Sequence, residues 1–182
     1  MWNASNRDFE REIIPMCREE GMAMQPWGAL GQGQFQSAAA FAEREKNNPG
    51  RKMKAPSARD KAVSAVLEAV GDRKGVSVTG IALAYCLAKA PYVFPIVGGR
   101  TVAQLGGNIE ALKVRLSEED INEIEKGYDF DPGFPHTFLS GTLWRNETPK
   151  GAYEAKDVSI TKFMGTFDWV AGPKAIQPAA EE

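Results

Sequence analysis

Apolar positions along this chain fall into helical spacings broken by two short apolar runs. Phe9, Ile13 and Cys17 recur every fourth residue and predict one face of a helix over residues 8–20, with Ser5 or Asn6 placed to cap it and Gly21 to stop it. Pro15 lies inside that pattern and predicts a bend or a shortening. Residues 22–27 read as a short apolar strand ending at Gly28, followed by a glycine-containing loop to residue 57 with a helical piece over 37–46. Ala62, Val66, Ala69 and Val70 mark the apolar face of a helix over 58–70. Ser77 caps a helix over 78–89 that is apolar almost all round, the pattern of a buried helix. Pro91 stops it, and residues 92–97 form a second apolar strand. A helix over 102–111 follows, and Ser117-Glu118-Glu119-Asp120 resembles a capping box opening a last helix to Lys126.

This order of helix, strand, helices, strand, helices is the rhythm of a parallel α/β protein. Two strands are too few, because parallel strands need cover on both faces and neighbours on both edges. The chain is therefore expected to be a piece of a larger barrel or sheet, or to pair with another chain. From Tyr128 onward the period fades. Trp144, Tyr153, Phe163, Phe167 and Trp169 predict a tail that wraps the body or the mouth of a site.

Composition narrows the class without naming it. With 182 residues, 43% hydrophobic and 25% charged, the chain has enough for one domain with a real core. A formal net charge of -2 gives no basis for a nucleic-acid surface. No apolar run approaches the roughly 20 residues of a membrane helix, and the first residues lack a secretory pattern, so a cytoplasmic protein is expected. Cys17 and Cys86 lie in helical patterns and suggest neither a disulfide framework nor a metal site.

The chemistry-bearing stretch is the turn after the second strand. Gly98 and Gly99 allow close backbone approach, and a helix start offers free N–H groups and a favourable dipole for an anion. Arg100, Gln104 and Asn108 are four residues apart and are expected to share one helical face, with Arg100 as a planar cationic fork for phosphate. An ordinary strand-to-helix turn with solvated polar residues is the alternative. Trp27 is equally open between ring stacking and core packing.

These motifs resemble the C-terminal part of the aldo-keto reductases, and within them the fungal aryl-alcohol dehydrogenase and norsolorinic acid reductase group. The resemblance is carried by residues 2–17, beginning Trp2-Asn3-Ala4-Ser5-Asn6-Arg7, and by residues 26–35, beginning Pro26-Trp27-Gly28-Ala29-Leu30-Gly31. It continues with Phe94-Pro95-Ile96-Val97-Gly98-Gly99-Arg100, Asn108-Ile109-Glu110-Ala111-Leu112 and Phe130-Asp131-Pro132-Gly133-Phe134-Pro135. It implies the closing portion of an eight-stranded α/β (TIM) barrel, with residues 22–27 and 92–97 as its seventh and eighth strands, residues 1–140 as a partial barrel domain and 141–182 as an aromatic tail.

The same resemblance implies half of an NADP(H) site. Pro26, Trp27 and Gly28 match the place where the family packs the nicotinamide ring, and Leu30 and Gly31 the loop passing the pyrophosphate. Gly98, Gly99, Arg100, Gln104 and Asn108 match the seat of the adenosine 2′-phosphate. Many members carry an arginine where Gln104 stands and an acidic residue where Gly107 stands. Asn3 matches an asparagine lining the nicotinamide pocket, and Arg51, Lys52 and Lys54 lie in a loop that folds over the cofactor in relatives. His136, the only histidine, does not match a catalytic position and reads as a loop residue. The family's tyrosine acid and its partners belong to barrel units outside this sequence. The implied activity is reduction of an aryl aldehyde or ketone, or oxidation of the alcohol. The alternatives are a non-catalytic remnant and an interaction module that pairs with a full-length relative.

Overall fold

In the computed structural model, residues 1–47, 55–145, 149–165 and 170–179 are described. Arg51, Lys52, Lys54, Phe167 and Trp169 lie outside them.

The chain opens with a turn of 3-10 helix, Asp8–Glu10, and then α1, Ile13–Glu19. One helix over 8–20 was expected. It is split because Pro15 sits in the first turn of α1, where its missing N–H costs no bond, rather than inside a longer helix. Ser5 and Asn6 cap nothing here. Ser5 Oγ donates to Asp60 at 2.7 Å instead, and Asn6 is held by Asn3. The buried side of α1 is Ile14 and Cys17: Cys17 is covered as expected, while Ile14 takes the place expected of Ile13, which is exposed. Gly21 does end the helix region, with φ at 65° and the Met22 N–H returning to the Cys17 carbonyl.

Helix α2 runs over Ala38–Asn47. Helix α3, Ala58–Lys74, is longer than the pattern indicated and ends at Gly75 in the left-handed conformation. It begins in a full capping box, Ser57 receiving the Asp60 N–H while the Asp60 carboxylate accepts the Ser57 N–H. Its buried stripe is Val63, Leu67 and Val70, flanked by Ser64 and Gly71, whereas Ala62 and Ala69 are exposed. Helix α4, Val78–Lys89, is capped by Ser77 and buries seven residues in a row, Gly80 to Cys86. Helix α3 packs on α4 and on α6, Glu118–Glu125, which opens in the Ser117/Asp120 capping box. In chain order α5, Val102–Glu110, comes between α4 and α6; it packs on α4 and ends one residue early in a 3-10 turn at Ala111–Lys113.

The two apolar runs do lie side by side and parallel, but as isolated bridges, Met24 with Val93 and Trp27 with Ile96. No continuous strand forms among the described residues, which corrects the expectation of two regular strands. The cause is visible in the register. Met24 donates to the Tyr92 carbonyl at 2.9 Å, Phe94 to Met24 at 2.8 Å and Ile96 to Pro26 at 2.9 Å. The next bond of a parallel ladder needs an N–H at Pro26, which proline lacks.

One face of this pair is covered and the other is not. Met24, Pro26 and Val93 are buried, while Gln25, Trp27, Phe94 and Ile96, on the opposite parity, are exposed. The core lies under the covered face, where Trp2, Phe35, Leu67, Ile81, Tyr85 and Ile124 are almost wholly excluded from solvent. Each fully buried aliphatic side chain contributes about 1.5–3 kcal/mol there.

A buried polar cluster fastens the chain start to α4 and α6. Arg7 holds Glu10 with two bonds, of 2.9 and 2.6 Å, and reaches Glu125 at 3.0 Å. Lys89 pairs with Glu125 and approaches Glu10 at 3.5 Å. The Trp2 indole N–H donates to Glu10 at 3.3 Å. Arg7 and Arg11 both lie over the ring of Phe130, at 4.7 and 4.6 Å.

Beyond Phe130 the tail forms short helices, α7 (His136–Leu139), α8 (Thr142–Arg145) and α9 (Thr161–Met164). It returns to the body through Arg18 with Glu154 at 2.8 Å and through Arg115 with the Pro178 carbonyl at 2.6 Å. His136 opens α7 rather than sitting in a loop, its ring 4.9 Å from that of Tyr153 and its Nδ1 buried with no hydrogen-bond partner among the described residues.

Candidate functional site

The bridge between Trp27 and Ile96 sets the ends of the two apolar runs beside each other, so the loops leaving them start from one place. Trp27 is half exposed, and its carbonyl accepts the Trp2 N–H at 3.3 Å. Gly28 follows with φ at 72°, a conformation that favours glycine. Its carbonyl accepts the Asn3 amide at 2.7 Å. Asn3 is therefore committed. It is 1% exposed, and its Oδ1 accepts the N–H groups of Ser5 and Asn6, each at 2.9 Å. The side chain expected to line a nicotinamide pocket instead fixes the turn that carries Trp27.

Pro26 is buried and Leu30 partly so, and Leu30 leads into a 3-10 turn at Gly31–Gly33. Gly31 has φ at 67°, and an added Cβ would stand 2.7 Å from the Phe35 ring, so close packing holds this glycine. Gly98 and Gly99 behave differently. Neither has positive φ, and a Cβ on Gly98 would meet nothing within 4 Å. The backbone there does not require glycine; Gly98 leaves open space beside the chain, whereas a Cβ on Gly99 would stand 3.1 Å from the Gln104 Cβ.

Arg100 stands before α5, not in it. Thr101 is the N-cap, and its hydroxyl receives the Gln104 N–H at 3.2 Å. Gln104 Oε1 in turn accepts the Arg100 N–H at 2.6 Å. Arg100, Gln104 and Asn108 consequently do not form one helical face: Arg100 precedes the helix, Gln104 is exposed and Asn108 is buried. The signal for this cap was in the sequence, as Thr101-x-x-Gln104 is a capping-box pattern. The Arg100 guanidinium makes no ion pair with any described residue, and the N–H groups of Val102 and Ala103 have no partner among them. Open space at Gly98, an unengaged cation and two free amides suit a phosphate. The Arg100 amide does not contribute while Gln104 holds it.

A cleft of about 750 Å³ lies elsewhere, between the turn at Lys74–Ser77 and the end of α5, with Lys113 and Arg115 on its wall. It contains none of the residues at the two run ends. No group of His, Cys, Asp and Glu among the described residues is arranged to hold a metal ion. No described helix is long and apolar enough to cross a membrane.

Comparison with known proteins matches residues 1–129 to the aldo/keto reductase family. Norsolorinic acid reductase B of Dothistroma septosporum is 55% identical over 181 residues, which covers all of this chain and 46% of that protein. An aryl-alcohol dehydrogenase of Pestalotiopsis microspora is 50% identical over 181 residues, 97% of this chain and 44% of its own length. Among solved structures, the glycerol dehydrogenase of Gluconobacter oxydans superposes with a TM-score of 0.55 at 20% identity, over 73% of this chain and 44% of that one. The chain thus spans about half the length of the curated relatives it matches.

Proposed function

Because this chain belongs to the aldo/keto reductase family, we infer that it forms the nucleotide-holding part of an NADP(H)-dependent enzyme that interconverts aromatic carbonyls and alcohols. The observation that supports this reading is the Trp27–Ile96 bridge, from which the loops beginning at Gly28 and at Gly98 both leave the same end of the parallel pair. The family generally uses NAD(P)H, and the bound cofactor supplies hydride. Arg100, with the Val102 and Ala103 amides, suits the extra phosphate that distinguishes NADP from NAD. Trp27 offers a half-exposed ring for stacking. The aromatic substrate class rests on relatives named aryl-alcohol dehydrogenase and norsolorinic acid reductase.

Carbonyl reduction also requires a proton for the oxygen. In this reading the donor belongs to the part of the relatives that this chain does not span. The chain's own residues bind and orient, and turnover depends on further barrel units.

Calorimetric titration with NADPH and NADH tests the assignment. A charge-assisted contact of about 1.5–3 kcal/mol to the phosphate predicts NADPH binding roughly 10- to 100-fold tighter than NADH. Arg100→Ala is expected to abolish that preference and leave NADH affinity unchanged. Equal affinity for the two nucleotides in the unmodified chain would overturn it.

A further inference from the structure

We propose that Asn3 is a positioning residue for the nucleotide: it locks the chain at Gly28, so that the Trp27 ring and the loop at Leu30 and Gly31 meet one dinucleotide in a fixed relation. The inference rests on the cofactor reading above and gives Asn3 no contact with the cofactor. Three successive carbonyls are held here. That of Pro26 accepts the Ile96 N–H at 2.9 Å, and that of Trp27 accepts the Trp2 N–H at 3.3 Å. The Gly28 carbonyl accepts two donors, the Asn3 amide at 2.7 Å and the Gly31 N–H at 2.9 Å. These bonds set the backbone from which Trp27 projects. Its half-exposed ring makes no hydrogen bond or aromatic contact with any described residue, so its aim depends on that backbone.

Gly28 is the loose joint of the run. With φ at 72° and no Cβ, it has more conformational freedom than the residues on either side. The Gly31 bond closes the turn but moves with it, whereas the Asn3 amide ties the turn to a residue 25 positions away. Asn3 is itself fixed. It is 1% exposed, and its Oδ1 accepts the N–H groups of Ser5 and Asn6, each at 2.9 Å, and the Asn6 side-chain amide at 3.3 Å. An oxygen that already takes three donors has no lone pair to offer a ligand. The Asn3 side chain therefore serves the cofactor through the Gly28 carbonyl, at the nicotinamide and pyrophosphate end. The Arg100 loop lies beyond its reach, so the two ends of the dinucleotide are separable by experiment.

Calorimetric titration of Asn3→Ser with NADPH and with adenosine 2′-phosphate tests this. The serine hydroxyl can still receive the Ser5 N–H, as serine does in turns, but it stops short of the Gly28 carbonyl. NADPH binding is expected to weaken about 3- to 10-fold, the worth of one such bond. Adenosine 2′-phosphate, which carries only the far end of the dinucleotide, is expected to bind with unchanged affinity. Tryptophan emission gives a second readout. NADPH is expected to quench it, and Trp27→Phe defines the share due to Trp27. At saturating NADPH, Asn3→Ser should reduce that share, which a loss of stability alone would not do. If the serine variant does not fold, Asn3→Asp near pH 8 keeps the size and the acceptor, sets a carboxylate oxygen against the Gly28 carbonyl, and should show the same split. Equal losses for the two ligands, no loss for either, or an unchanged Trp27 quench would each overturn the proposal. Equal affinity of the unmodified chain for NADPH and NADH would instead remove the cofactor reading, and this inference with it.

Discussion

The hydroxyl of Tyr85 donates to the carboxylate of Glu10 at 3.1 Å from a ring that is wholly buried, tying α4 to the first helical turn of the chain. The same hydroxyl stands 3.1 Å from Glu125. One proton serves one carboxylate at a time, so Tyr85 is shared between them. Burial, followed by these two negative charges, pushes the phenol well above its ordinary range and keeps it a donor. Two cations and two anions close the cluster, which balances the charge taken out of water.

Glu10→Gln is expected to destabilise the fold by about 3 kcal/mol at neutral pH, because Arg7 stays buried with half of its counter-charge removed. Burial by itself would raise the Glu10 carboxyl. The Arg7 bond, the charges of Lys89 and Arg7, and the Trp2 bond outweigh it and hold the group below the usual glutamate value of 4.5. A depressed folded-state value gives stability that is complete above the unfolded-state value and lost as pH falls through the lower, folded-state one. Urea midpoints measured at pH 7 and near pH 3 check this. The unmodified chain should lose more on acidification than Glu10→Gln, and parallel losses would contradict the assignment.

Gly71→Ala should lower stability by about 1–3 kcal/mol, against helix propensity, which alone would favour alanine by about 1 kcal/mol. A Cβ at this position of α3 would press on the backbone carbonyl oxygen of Val76, which cannot swing aside as a side chain would. The Gly71 carbonyl also accepts the N–H groups of Gly75 and Val76, which fixes the turn into α4. Thermal denaturation of the variant decides the sign.

Neither cysteine should react with a disulfide-exchange reagent in the folded chain, and two equivalents should react in denaturant. Cys86 is fully buried, and burial, with Glu10 nearby, pushes its thiol far above the ordinary range. Cys17 is buried in α1. Rapid labelling of a single equivalent under native conditions would show that α1 opens locally.

The helices were legible in the sequence because their signals are local. Ser57 and Ser117 each precede an aspartate by three residues, and both form capping boxes. The face of α3 was read in part: Val70 is buried as expected, but Ala62 and Ala69 were assigned to a face that Val63 and Leu67 occupy, and small side chains carry little burial energy to separate the two choices. The apolar runs were found, but their ladder depends on a proline meeting a partner 69 positions away, which no local pattern reveals. In the candidate site, the glycines and Arg100 were recognisable as types. Their geometry was not, because Gln104 folds back on the Arg100 amide and Asn3 is spent on Gly28.

Pro95 has an effect of its own on the outer edge of residues 92–97. Positions 93, 95 and 97 face outward there, and the middle one has no N–H to offer. A stray extended peptide adding to that edge would find its run of donors interrupted at the centre. The proline thereby acts as a gatekeeper against fibril growth, discouraging indiscriminate strand recruitment while leaving amides on either side for a partner shaped to accept the gap.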